Sequence, residues 1–255
     1  MEEKLKAFKD LLEIMDELRE KCPWDRKQTF DTLRKLTIEE TYELTDAIIE
    51  GDMEEIRKEL GDLLLHIVFY AKLGAEKEAF DIKDIIESLN QKLIFRHPHV
   101  FGETSVKDDE EVKTNWEQLK QKEGKKALLS GVPKSLPAMV KSNRIQEKVR
   151  SVGFDWDDKE DIWEKIDEEL LELKAEVKSN NQENIEQEFG DFIFSVINAA
   201  RLYGIEPENA LERTNRKFIK RFNYLEEETI NKGKSLYDMN LEEMNKIWEE
   251  VKKFD

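Results

Sequence analysis

The sequence predicts an all-α protein built as two tandem, homologous helical bundles, and three observations predict it. Gly and Pro number only 10 and 5 in 255 residues, while Glu, Lys, Leu and Ile dominate, a composition that favours helix. Apolar residues recur at three- and four-residue spacing, as at Phe8, Leu11, Leu12, Met15 and Leu18, which lines one face of a helix. The chain also repeats itself: Glu39, Glu40, Glu43, Glu59 and Asp62 map onto Glu168, Glu169, Glu172, Glu188 and Asp191 by one offset of 129.

The elements follow in order. A first helix has Phe8–Leu18 as its apolar face and is broken by Cys22-Pro23-Trp24-Asp25. Thr37-Ile38-Glu39-Glu40 reads as a capping box opening the second, which ends at Gly51. Asp52 starts a third, running to about Lys77, and Asp81 caps a fourth from Ile82 to about Phe95. A fifth is expected over 108–122. Gly124–Pro137, punctuated by Gly, Pro and Ser, reads as a linker, so the expected domains are 1–123 and 138–255. The pattern then restarts with a helix over Ala138–Val152 that ends at Gly153. Asp157 caps the next, to about Lys178, and Asn180-Asn181 makes the turn. A long helix to Tyr203 is closed by Gly204. Pro207 suits the first turn of another, to about Ile230, and Asn240 opens the last.

The repeat extends past the carboxylates. Asn90–Arg96 parallels Asn215–Arg221 at an offset of 125, and Asp108–Trp116 parallels Asn240–Trp248 at 132. Trp24-Asp25 parallels Trp156-Asp157, also at 132. Offsets that change only between elements are those of loops that vary while helices keep register, as in two antiparallel bundles.

Asp plus Glu number 59 against 42 Lys plus Arg, a net charge of −17. Such a field argues against a nucleic acid duplex as partner, though a bound divalent cation inverts it locally for a small anion. The single cysteine, Cys22, reads as structural, permits no internal disulfide, and fits a cytoplasmic location. Residues 1–21 are too charged for a signal peptide, and no stretch has the apolar length of a membrane span.

Spacing turns the repeat into a site. Residues three or four apart share a helix face, so Glu40 projects with Glu43, and Glu59 with Asp62. Glu43 and Glu59 both lie eight residues from Gly51, and Glu40 and Asp62 eleven. An antiparallel hairpin turning there sets the pairs level. Glu169, Glu172, Glu188 and Asp191 are centred on Asn180 in the same way. Like charges at about 4 Å repel by roughly 4 kcal/mol per pair at an effective dielectric near 20. Either their pKa values rise or a cation sits between them, and all-oxygen ligands favour Mg²⁺ or Mn²⁺. A di-iron bundle would offer Glu-x-x-His pairs, and the three histidines, His66, His97 and His99, are elsewhere. His97-Pro98-His99 reads as a loop. Lys92 with Arg96 and Lys217 with Arg221, each four apart, are either solvated faces or phosphate-binding pairs. Trp116 and Trp248 are either core or stacking residues.

The pattern Glu-Glu-x-x-Glu followed about sixteen residues on by Glu-x-x-Asp resembles the motif of the all-α nucleoside triphosphate pyrophosphohydrolases. Cys22-Pro23-Trp24-Asp25, Arg96-His97-Pro98-His99-Val100-Phe101 and Gly153-Phe154-Asp155-Trp156 are similar to the tandem, MazG-type branch of that family over nearly the whole chain. The resemblance implies Mg²⁺-dependent hydrolysis of nucleoside triphosphates to monophosphate and pyrophosphate, by a homodimer. It also implies Glu169, Glu172, Glu188 and Asp191 as metal ligands, Lys217 and Arg221 on the phosphates, and Trp248 and Asn198 near the nucleotide. In the first half the acidic set Glu40, Glu43, Glu59 and Asp62 is intact, as are Lys92 and Arg96, but Phe69 stands where the second half has Asn198. The expected chemistry is water attack on the α-phosphorus, with Glu168 or Glu169 orienting or deprotonating the water and Lys217 and Arg221 offsetting charge on the leaving group. The competing expectation is a nucleotide-binding scaffold with a non-catalytic first half.

Overall fold

A computed structural model describes residues 1–108, 111–112, 115–116, 119, 127–231, 233 and 235–254. Among the described residues every regular element is a helix, as the composition requires. The chain divides into two units, Met1–Asp109 and Glu110–Asp255. The helix expected over 108–122 lies largely outside the described residues.

In the first unit α1 (Glu2–Lys21) turns its apolar stripe inward, with Met15 buried to 1% exposure. It stops where Cys22 donates back to Leu18 and Pro23 follows, since a helix rarely continues into a residue that precedes proline. The next helix, α2 (Phe30–Glu50), starts eight residues earlier than the Thr37 box predicts. Thr29 accepts from the Thr32 N–H, and Thr32 Oγ1 accepts from the Thr29 N–H, so a Thr-x-x-Thr pair closes the capping box. Thr37 lies inside the helix, its hydroxyl donating to the Leu33 carbonyl at 3.0 Å and meeting the Tyr70 hydroxyl at 2.7 Å. Burial of Leu33, with Phe30 and Leu36 packed beside it, draws the preceding turn into the helix.

Gly51 at φ +72° ends α2, a left-handed conformation that glycine adopts without strain. Asp52 then caps α3 (Met53–Glu76) by accepting from Glu54 and Glu55. This turn makes the α2–α3 hairpin expected from spacing. The core against it comprises Met15, Leu33, Val68, Phe69 and Leu73. Gly74 admits Phe80 so closely that a Cβ would stand 2.6 Å from it. Asp81 caps α4 (Ile82–Arg96) in a capping box with Asp84. His97-Pro98-His99 is not a loop, because Pro98 opens a one-turn helix, α5 (Pro98–Phe101), with its missing N–H at the position where none is needed.

In the second unit α6 (Ala138–Arg150) is followed by Gly153 at φ +83°. The hairpin is α7 (Ile162–Ser179) and α8 (Gln182–Leu202). α7 begins at Ile162 rather than beside Asp157. Asp158 spends its carboxylate on the Glu160 N–H and its carbonyl on Asp161, which closes a turn instead of a helix. Asn180 at φ +58° and Asn181, which caps Glu183 and Asn184, divide the role that Gly51 and Asp52 fill in the first unit. α9 (Pro207–Asn231) packs against α6, α8 and α10 (Leu241–Val251). Asn240 and Glu243 cap α10 reciprocally. The buried Arg201 guanidinium grips Asp155 with two nitrogens, fastening the Gly153–Trp156 segment to α8. Among the described residues no helix is long and apolar enough to cross a membrane.

Candidate metal and phosphate site

Each hairpin gathers three of its four expected carboxylates. In the first, oxygens of Glu40 and Glu43 on α2 and Glu59 on α3 lie within 4.8 Å of one another. In the second, Glu169 and Glu172 on α7 and Glu188 on α8 do the same. Asp62 and Asp191 stand outside these triplets but act on them by charge. Glu40 is held above the ordinary carboxylate range by burial first, then by Asp62, Glu43 and Glu59. Glu188 is raised by partial burial first, then by Glu172, Asp191, Glu169 and Glu176. Both shifts are the signature of like charges gathered in partial shelter from water.

The inner member of each triplet is nearly covered, Glu59 at 3% and Glu169 at 7% exposure. A lysine meets each. Lys58 lies 2.9 Å from Glu59 and 3.2 Å from Glu55, and Lys165 lies 2.7 Å from Glu169 and 3.1 Å from Glu168. Both lysines are raised, Lys58 by Glu59 first and Lys165 by Glu169 first. One lysine leaves the set underneutralised, and the second oxygen of Glu59 is buried without a hydrogen-bond partner. A buried, orphaned carboxylate oxygen among oxygen donors fits a hard divalent cation. Spacing did not single out these lysines, although Lys165 sits four residues before Glu169 and was legible as an ion pair.

The cationic pair of the second half lies on α9. Arg221 stands with its guanidinium carbon 5.8 Å from the Trp248 ring centroid, and Phe218 lies 5.0 Å from the same ring. α10 thus brings an expected phosphate ligand and a residue expected near the nucleotide to one spot. Lys217 is exposed one turn before Arg221. In the first half Lys92 and Arg96 sit on α4, and Glu39 is an exposed partner of Lys35.

Asn198 is half-buried on α8, seven residues beyond Asp191. Its carbonyl oxygen accepts from Arg201 at 2.8 and 3.0 Å, so its orientation is fixed by the Arg201–Asp155 pair. Phe69, at its counterpart, is 2% exposed within the apolar cluster and lies under Arg19 at 5.9 Å.

The chain is similar to known proteins over nearly its whole length. The family model described as the MazG nucleotide pyrophosphohydrolase domain matches residues 28–101 and again 158–225, and both matches contain a complete acidic hairpin. A nucleoside triphosphate pyrophosphohydrolase/pyrophosphatase MazG of Thermotoga maritima is 42% identical over 250 residues, 96% of this chain and 95% of that protein. The nucleoside triphosphate pyrophosphohydrolase of Escherichia coli K12 is 40% identical over 252 residues, 95% and 96% of the two chains. An uncharacterized Bacillus subtilis protein is 45% identical over 98% of this chain, which spans 53% of it.

Proposed function

Because the chain belongs to the MazG nucleotide pyrophosphohydrolase family and is a hydrolase of acid anhydrides, we propose that it converts ribo- and deoxyribonucleoside triphosphates to monophosphate and pyrophosphate with Mg²⁺, or Mn²⁺ in its place, in broad-specificity clearance of the nucleotide pool. The observation that carries this is the Glu169, Glu172 and Glu188 triplet, its oxygens within 4.8 Å, with Glu188 held above the ordinary carboxylate range by partial burial first and then by its acidic neighbours. The family name supplies the reaction, and the triplet supplies the chemistry it needs.

Glu169, Glu172, Glu188 and Asp191 hold the metal, and Glu40, Glu43, Glu59 and Asp62 are the corresponding set in the first half. The cation, when bound, polarises the phosphoryl oxygens and lowers the pKa of a water. Glu168 or Glu169 orients or deprotonates the water that attacks the α-phosphorus. Lys217 and Arg221 receive the charge that builds on the departing pyrophosphate, a form of stabilisation typically worth ~10²-fold or more in rate. Trp248, already beside Arg221, offers a face to the base, and Asn198 lines the pocket. Lys92 and Arg96 are the equivalent cations of the first half. Phe69, buried in the core, favours a first half that binds cation or nucleotide in a regulatory capacity while the second half turns over substrate.

Several features support a homodimer working in the cytoplasm away from duplex nucleic acid and membranes. The acidic hairpins leave large apolar side chains in water, among them Tyr42 and Leu60 in the first unit and Leu171, Phe189 and Ile193 in the second, each about half exposed or more. Paired copies would cover such faces. The net charge of −17 and the lone cysteine accord with the rest.

The test is Glu172→Gln with Mg²⁺ and each nucleotide in turn, pyrophosphate being measured. A loss of about 100-fold or more is expected, and undiminished release sinks the metal-ligand role. Running the intact chain beside 1–123 and 138–255 assigns turnover to a half.

A further inference from the structure

Three buried polar atoms on α6 have no hydrogen-bond partner, namely Ser142 Oγ, Asn143 Oδ1 and Gln146 Oε1. Ser142 and Gln146 are more than nine-tenths covered, at 9% and 3% exposure. Gln146 lies four residues after Ser142 and three after Asn143, so it neighbours both on one side of the helix. Buried polar groups in native proteins are nearly always paired, and three orphans on one side of a helix need a partner.

Their place is set by one contact. Gln146 Nε2 donates to the Phe194 carbonyl of α8 at 2.9 Å. Within a helix that carbonyl faces the N–H of residue 198, so the Gln146 amide lies beside the backbone of Asn198. Phe194 and Asn198 are three and seven residues beyond Asp191, about 4.5 to 10.5 Å along the axis at ~1.5 Å per residue. The α6 face therefore crosses α8 on the C-terminal side of the carboxylate triplet. In the other direction along the hairpin comes Glu176, whose carboxylate is already engaged by Ser179 and Asn184. Towards α6 come the amides of Asn143 and Gln146 and the Ser142 hydroxyl, next to the Arg201–Asp155 pair that holds Asn198. The first unit fills the corresponding space with Met15, Phe69 and Leu73.

We propose that Ser142, Asn143 and Gln146 form, with Asn198, the pocket that receives the nucleoside of the substrate. This rests on the hydrolytic reading above and names the specificity surface of that site. Because its amide nitrogen is committed to Phe194, Gln146 offers only an acceptor. Adenine and cytosine carry an exocyclic amino group, guanine an imino and an amino N–H, uracil and thymine an imino N–H. Each base supplies a donor for Gln146, so the pocket holds all of them without selecting sharply. Since Ser142 and Gln146 are covered by the protein, the side chains over them move aside for an arriving base while Gln146 stays bonded to Phe194.

The experiment uses the full chain with Mg²⁺. The Kd values of α,β-methylene nucleoside triphosphates are compared with that of base-free tripolyphosphate, for the wild type, Gln146→Leu and Ser142→Ala. Wild type is expected to bind the nucleotides more tightly, and the advantage to shrink about tenfold in Gln146→Leu and several-fold in Ser142→Ala. Slower hydrogen exchange in α6 with the nucleotides but not with tripolyphosphate is the accompanying result. If the ratio is unchanged in both folded variants and only their melting temperatures move, ordered water completes the face and the proposal is overturned. Ser142→Ala keeps the question open to an answer if Gln146→Leu does not fold. Pyrophosphate release from natural triphosphates is measured in parallel. Its absence in the wild type refutes the hydrolytic reading, while the Kd ratio still decides the pocket.

Discussion

The Lys165 ammonium lies 2.7 Å from the Glu169 carboxylate, on the same helix and one turn before it. The most buried ligand of the second triplet therefore carries a protein cation where a metal is expected to coordinate. The two compete, since a carboxylate oxygen shared with an ammonium is a weaker ligand. Replacing Lys165 with Met is expected to tighten Mg²⁺ binding about fivefold. That is the scale of a partly exposed ion pair worth up to ~1 kcal/mol. Calorimetric titration with Mg²⁺ reads it, and weaker binding in the variant would mean that Lys165 does not compete.

The raised carboxyls make metal binding and stability depend on pH in a defined sense. Glu188 and Glu40 keep their protons in the folded chain at pH values where the unfolded chain has lost them. The folded state then holds the extra protons. Stability falls as pH rises from the ordinary carboxylate pKa through the raised ones. Divalent cation reverses this by neutralising the same oxygens. Mg²⁺ should therefore raise the melting temperature more at pH 8 than near pH 4.5. Glu188→Gln should flatten the pH slope measured in EDTA. A Mg²⁺ effect of the same size at both pH values would contradict the assignment.

Arg221 and Trp248 form one unit, with the guanidinium over the ring at 5.8 Å, and their variants should separate binding from chemistry. Trp248→Leu removes a cation–π contact worth about 0.5–1 kcal/mol at a partly exposed site. It also takes away a face for the base. A two- to fivefold rise in KM with little change in kcat is expected. Arg221→Ala instead should lower kcat by about 100-fold, because charge on leaving pyrophosphate is then unmet. Equal effects of both variants on kcat would remove Trp248 from a binding role.

The hairpins were legible because their information is local. Gly51 and Asn180 take positive φ, and the residues flanking each turn are carboxylates at helical spacing. What escaped is decided by tertiary contact. Thr29 and Thr32 cap α2, yet the Thr37–Glu40 pattern reads better on paper. Only the burial of Leu33 and Phe30 against α1 and α3 selects the earlier start. Asp157 reads as a helix cap, yet the next residue, Asp158, closes a turn there instead. Gln146 sits on a helix whose sequence reads as ordinary amphipathic surface, and its neighbour, the Phe194 carbonyl 48 residues away, is invisible to periodicity. Lys165 is the exception, since its partner Glu169 is four residues away on the same helix and the pair is legible in spacing alone.

Phe69 divides the two halves, and its replacement tests the division. It is 2% exposed among Met15, Leu33, Val68 and Leu73, so truncation leaves a cavity with little room to collapse. Phe69→Ala should cost the first unit about 3–5 kcal/mol. Phe69→Leu leaves most of the packing in place and should cost less. If the second half carries turnover, pyrophosphate release by both variants stays within about twofold of wild type, provided it is assayed below the first melting transition. Scanning calorimetry locates that transition, and the assay temperature follows from it. Activity that falls in proportion to the loss of first-unit stability, from Leu to Ala, would show that the first unit is needed for catalysis. Retained activity alongside a clearly lowered first transition would show that the apolar filling around Phe69 serves the fold rather than the substrate.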